Sequence, residues 1–123
     1  MIMARACLQQ LPGALVIAWL ASGCASAPHH EPPAHPAAPA AAAIALDMLG
    51  RPYRHGGGTP KGFDCRGLVR YSYARAGVKL PRSTAAQRKG TEPVPPKNLK
   101  KGDLLFFDQE GKKFSHVAIY LGD

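Results

Sequence analysis

From Ala25 to Ala43 the chain is built almost wholly of small residues and proline, with Pro28, Pro32, Pro33, Pro36 and Pro39 and scarcely a large apolar side chain. Such a segment has nothing with which to bury a core. It favours extended polyproline backbone at ~3.1 Å per residue, so residues 27–43 read as a tether reaching on the order of 50 Å. What can fold is confined to residues 44–123, enough for one small domain with one active site.

Ahead of the tether, residues 1–23 read as an export signal: Arg5 and no acidic residue near the start, the apolar run Leu11 to Leu20, then small residues. The run is too short to span a bilayer, which takes about 20 apolar residues. Its end, Leu20-Ala21-Ser22-Gly23-Cys24 followed by Ala25, resembles a bacterial lipobox, with Ala21 where that pattern prefers leucine. The resemblance implies cleavage before Cys24 and lipid on its sulfur, hence a protein held at the outer membrane and facing the periplasm. The competing reading is ordinary small-residue cleavage nearby.

Cysteine usage narrows the chemistry. Cys7 would leave with the signal and Cys24 would be capped by lipid, so Cys65 stands alone. An exported protein normally pairs its cysteines, and an unpaired thiol invites a chemical role unless Cys24 escapes lipid and bonds Cys65. His29, His30 and His35 lie on the tether, where ligands are poorly held and lack supporting groups, so no metal and no cofactor is expected. The formal charge of +8 fits attraction to an anionic polymer or membrane surface. Because the basic residues scatter singly from Arg51 to Lys113 with few aromatics between them, nucleic acid is not an expected partner.

Within the domain, Ile44 to Leu49 suggests a short helix closed by Gly50 and Arg51-Pro52. Residues 53–60, with three glycines and a proline, read as an irregular loop; they lack the Gly-Lys-Ser/Thr ending of a phosphate cradle. Leu68, Val69, Ser72, Tyr73 and Ala76 recur at helical spacing and Gly77 is a natural stop, which puts Cys65 in a helix's first turn. There the free N–H groups and the macrodipole favour a thiolate, although a cysteine also packs as a small apolar side chain. Ser83 can cap a brief helix, Thr91 to Asn98 reads as a loop, and Leu104 to Asp108 reads as a buried strand. A polar connection, Gln109 to Lys113, leads to a second strand headed by His116.

A thiol at a helix start and an imidazole on a strand are the two parts that cysteine acyl transfer needs. The segments Pro52-Tyr53-Arg54, Gly56-Gly57, Phe63-Asp64-Cys65, Gly67-Leu68-Val69, Gly102-Asp103-Leu104 and His116-Val117-Ala118-Ile119-Tyr120 resemble the NlpC/P60 family of papain-like peptidoglycan endopeptidases. The resemblance covers most of residues 44–123. It implies an α+β fold in which N-terminal helices, the nucleophile at one helix N-terminus, pack on a small antiparallel sheet. It implies Cys65 as nucleophile and His116 as base in cutting amide bonds of peptidoglycan stem peptides. Tyr53 either binds the developing oxyanion or packs, and Asp64 either binds a substrate amine or caps its helix. The alternatives are a Cys/His amidase of peptidoglycan and an inactive wall-binding lipoprotein.

Three departures accompany the resemblance. The family's third polar residue, which orients the imidazole, is not found, so the domain is expected to lack its C-terminal part. Arg66 stands where a small serine is usual. His55 replaces an aromatic residue and is a rival base. The bond cut and the oligomeric state are not legible.

Overall fold

Alanine has the highest helix propensity and a side chain small enough for backbones to approach, and both properties shape the start of the domain. The computed structural model describes residues 1–6 and 34–122. In it the first helix, α1, runs Ala38–Leu46, with Pro39 in its first turn, where the missing N–H costs nothing. It thus begins inside the segment expected to be tether and not near Ile44. Ala38, Ala41 and Ala42 are buried, and α1 packs against the later helix α2, Cys65–Arg75. Gly102, at φ +95, comes so close that a Cβ there would overlap the Ala38 backbone. Alanines bury little area each, but they let whole helix surfaces meet.

The sheet has four antiparallel strands in the order β4-β1-β5-β6: β1 is Ile2–Ala6, β4 Thr91–Pro93, β5 Leu104–Gln109 and β6 Lys112–Ile119. β5 and β6 form a hairpin whose turn is only Glu110-Gly111, with φ 52 and 72, the paired left-handed geometry that matches strand twist. β6 therefore starts at Lys112, and His116 lies within the strand instead of heading it. Thr91 to Pro93, expected as loop, is strand β4; Pro93 is tolerated because β4 lies at the sheet edge. A 3₁₀ turn, Pro96–Asn98, follows.

Strand β1 lies in the segment read as an export signal. Ala4 faces Pro93 on one side and Leu104 on the other, the Met3 carbonyl accepts from Val94 N–H at 2.8 Å, and Met3 and Ala4 are buried. Local hydropathy gave no sign of this, because pairing with β4 and β5 is a non-local property. The apolar run from Leu11, Cys24, His29 and His30 lie outside the described residues.

The core sits between α2 and the sheet. Val69 and Tyr73 meet Leu104, Phe106 and Val117, with Ala4, Ala38 and Ala41 at the flank. Burying Phe106 alone is worth ~1.5–3 kcal/mol. The Tyr73 hydroxyl donates to the Gly102 carbonyl at 2.6 Å. Burial first, and then the Asp103 charge, push that phenol well above its usual range. α2 closes as its sequence predicts: Gly77 adopts φ +92, Val78 N–H reaches the Tyr73 carbonyl and Gly77 N–H the Ala74 carbonyl, which is a Schellman end. The short helix α3, Thr84–Lys89, is capped by Ser83 Oγ, which accepts from Ala86 N–H at 3.2 Å. The architecture is α+β, helices on one small antiparallel sheet, as the sequence implied.

Candidate active site

The first turn of α2 is tied down by Asp64. Its backbone is extended, as an N-cap requires, and Oδ1 accepts from Gly67 N–H at 2.7 Å. Oδ2 accepts from Gly56 N–H and from Arg66 Nε, each at 3.1 Å. Three donors on a buried carboxylate favour its role as cap over capture of a substrate amine. Burial raises its proton affinity, but the Gly67 N–H, Arg66 and the Gly56 N–H outweigh that and hold the carboxyl below its ordinary value.

The glycine-rich segment is more regular than its composition suggests. Gly58–Thr59 and Gly62–Phe63 pair as strands β2 and β3. Phe63 N–H donates to the Pro52 carbonyl, Arg54 N–H to that of Phe63, and Asp64 N–H to that of Gly57. The loop is thereby laced against the α2 start. Gly67 makes this possible: a Cβ there would overlap the Gly57 carbonyl.

Cys65 is the first residue of α2, half-buried and free of any disulfide with a described residue. His116 is presented from β6. Its ring packs on Phe107, its cross-strand neighbour, with centroids 5.8 Å apart. The hairpin is irregular just there: register shifts between Phe107 and Gln109, and Phe114 is held at φ 51 with its N–H on Asp108 Oδ1 at 2.8 Å. Bulges of this kind re-aim the side chains that follow them. Among the described residues no side chain hydrogen-bonds the imidazole.

Tyr53, Asp64, Cys65 and His116 all line one cleft of about 260 Å³. Cys65 and His116 also share an apolar hollow of about 290 Å³ with Leu68 and Val69. Tyr53 is 76% exposed, so its hydroxyl is accessible rather than packed away. His55 shares a second, larger cleft of about 470 Å³ with Cys65, Tyr53, Arg66 and Ser83. The four residues singled out from the sequence thus converge, and the rival His55 lines only the larger cleft, which His116 does not reach. Sequence reasoning missed Phe107, which only the hairpin register reveals, and the position of Arg66 between clefts. Among the described residues no three His, Cys, Asp or Glu side chains cluster to hold a metal ion, and no helix is long and apolar enough to cross a membrane.

The bifunctional muramidase/DL-endopeptidase CwlT of Bacillus subtilis is 46% identical over 82 residues, 64% of this chain and 25% of that protein. A solved structure from Staphylococcus aureus, described as similar to lipoprotein and of the NLP/P60 family, superposes with a TM-score of 0.65 at 36% identity, over 71% of this chain and 31% of the other. RipD of Mycobacterium tuberculosis, described as a non-catalytic NlpC/p60 domain protein adapted to peptidoglycan binding, superposes with a TM-score of 0.61 at 36% identity, over 72% of this chain and 77% of the other. The chain spans about a quarter or less of the length of curated relatives that it matches. The sequence pattern of the NlpC/P60 family matches residues 50–123, more than half of the 123-residue chain, and includes Cys65 and His116. The chain therefore belongs to the NlpC/P60 family.

Proposed function

We propose that this protein is a cysteine peptidase that hydrolyses amide bonds in the stem peptides of peptidoglycan. The observation that carries the reading is the convergence of Tyr53, Cys65 and His116 on one cleft at the start of α2. Relatives named as a DL-endopeptidase and as a gamma-DL-glutamyl hydrolase support it.

The chemistry follows from the side chains. An imidazole nitrogen of His116 takes the Cys65 proton as Sγ attacks the peptide carbonyl carbon, forming a C–S bond and an oxyanion. The Cys65 N–H, which as the first of its helix has no intrahelical partner, and the Tyr53 hydroxyl donate to that oxyanion. Collapse breaks the C–N bond, and the imidazolium returns its proton to the departing amine. Water then gives a proton to His116 and its oxygen to the thioester carbon; the acid leaves and the thiol is restored. Phe107 limits rotation of the imidazole throughout. Export, cleavage before Cys24 and a lipid anchor in the envelope belong to the same proposal, resting on the apolar run and the lipobox-like sequence.

A second reading, a wall-binding relative without catalysis, is favoured by one observation of the site, that no described side chain orients His116 by a hydrogen bond, and is supported by RipD, which is described as non-catalytic. Digestion of purified peptidoglycan beside Cys65→Ala separates the two. Muropeptides released only by the parent chain establish the peptidase; no release from folded protein that still sediments with the wall establishes the binder.

A further inference from the structure

Arg66 occupies a place that the proposed reaction does not use. It follows the nucleophile directly and lines both the cleft of about 470 Å³ that Cys65 shares with His55 and another of about 440 Å³, whose wall includes Arg70 and Arg82. Its side chain is 41% exposed. The contact between Nε and Asp64 Oδ2, at 3.1 Å, fixes the plane of the guanidinium. Its terminal amino groups bond no described residue, so the forked end is left free toward the clefts. Asp64 is already committed to the Gly67 and Gly56 N–H groups. Among the described residues no carboxylate pairs with Arg70 or Arg82. The wall of this cleft therefore carries three guanidinium groups against one saturated carboxylate.

A planar fork with two free donors, fixed at its Nε, matches a carboxylate in bidentate geometry and repels an ammonium group. We propose that Arg66 is a specificity-determining residue of this site, selecting wall peptides that carry a free carboxylate beside the bond to be cut. Arg70 and Arg82 extend the positive field along the adjoining cleft of about 440 Å³. A carboxamide at that position keeps the shape but loses the charge, and binds less well. This rests on the proposed reading of the site as one for wall peptides.

The test is calorimetric titration of the full chain carrying Cys65→Ala with L-alanyl-γ-D-glutamyl-L-lysine and with its D-isoglutaminyl counterpart, which differ only in carboxylate against carboxamide. The carboxylate peptide should bind about tenfold more tightly. Adding Arg66→Gln should bring the two within about twofold by weakening the carboxylate peptide alone, and Arg66→Lys should retain part of the preference. Matching melting curves show that the cap survives in both variants. Equal affinities before Arg66 is changed, a preference that survives Arg66→Gln, or failure to bind either peptide overturns the proposal. Wall digestion by the chain that retains Cys65 is read separately: release without selectivity keeps the peptidase and removes the Arg66 proposal, while selectivity without release keeps the subsite on a non-catalytic binder.

Discussion

Asp64 does more to shape this site than either residue of the proposed catalytic pair, because it fixes the helix end, the glycine loop and Arg66 at once. Replacing Asp64 with Ala should cost about 1–2 kcal/mol for the cap alone, read from urea denaturation. The pH dependence has a definite sign. The folded carboxyl titrates below its ordinary 3.8, so its stabilisation is present above that value and fades as pH falls through the lower folded one. The stability gap between parent and Asp64→Asn should be constant near neutrality and shrink below about pH 4. At Tyr53, loss of the hydroxyl in Tyr53→Phe should lower kcat roughly 100-fold with KM little changed, the mark of a donor acting in the transition state; unchanged kcat would remove the hydroxyl from the oxyanion site. That Cys65, His116 and Tyr53 meet in one cleft was legible in the sequence, because their side-chain chemistry and the family motifs mark them out. The commitment of Asp64 was not, since only folding brings the Gly56 N–H to a carboxylate eight residues away.

At the scale of elements, legibility tracked how local each signal was. Helix α2 was readable to within a residue because its apolar stripe, its cap and Gly77 all act within a few residues of one another. Helix α1 was misjudged because a run of alanine has no hydropathic period to read, although its propensity is the best available. Strands β1 and β4 escaped notice because each is too short to show alternation and exists only through its partners. The alanines of α1 yield a test of close packing. Ala41→Leu, at a fully buried position, should destabilise by about 1–3 kcal/mol through overpacking, while Ala43→Leu, on the exposed face of the same helix, should change stability by less than about 0.5 kcal/mol. Urea midpoints of the two variants, with unchanged slopes, check this.

For the whole molecule, the proposed export and the observed sheet bear on each other. Cleavage before Cys24 would remove residues 1–23 and with them β1, the inner strand that joins β4 to β5. β4 would lose its only strand partner among the described residues, and β5 would present open donors and acceptors on one side. Met3, worth ~1.5–3 kcal/mol when buried, would be withdrawn from the sheet. In a domain this small, a loss of about 2–3 kcal/mol corresponds to roughly 10–20 °C in the thermal midpoint. The chain beginning at Cys24 should therefore melt about that much lower than the full chain, and a synthetic peptide of residues 1–8 added in excess should restore part of the difference by refilling the slot. An unchanged midpoint would mean that the core of α1, α2, β5 and β6 stands without β1, so that cleavage at Cys24 leaves the cleft of Tyr53, Cys65 and His116 as it is in the full chain.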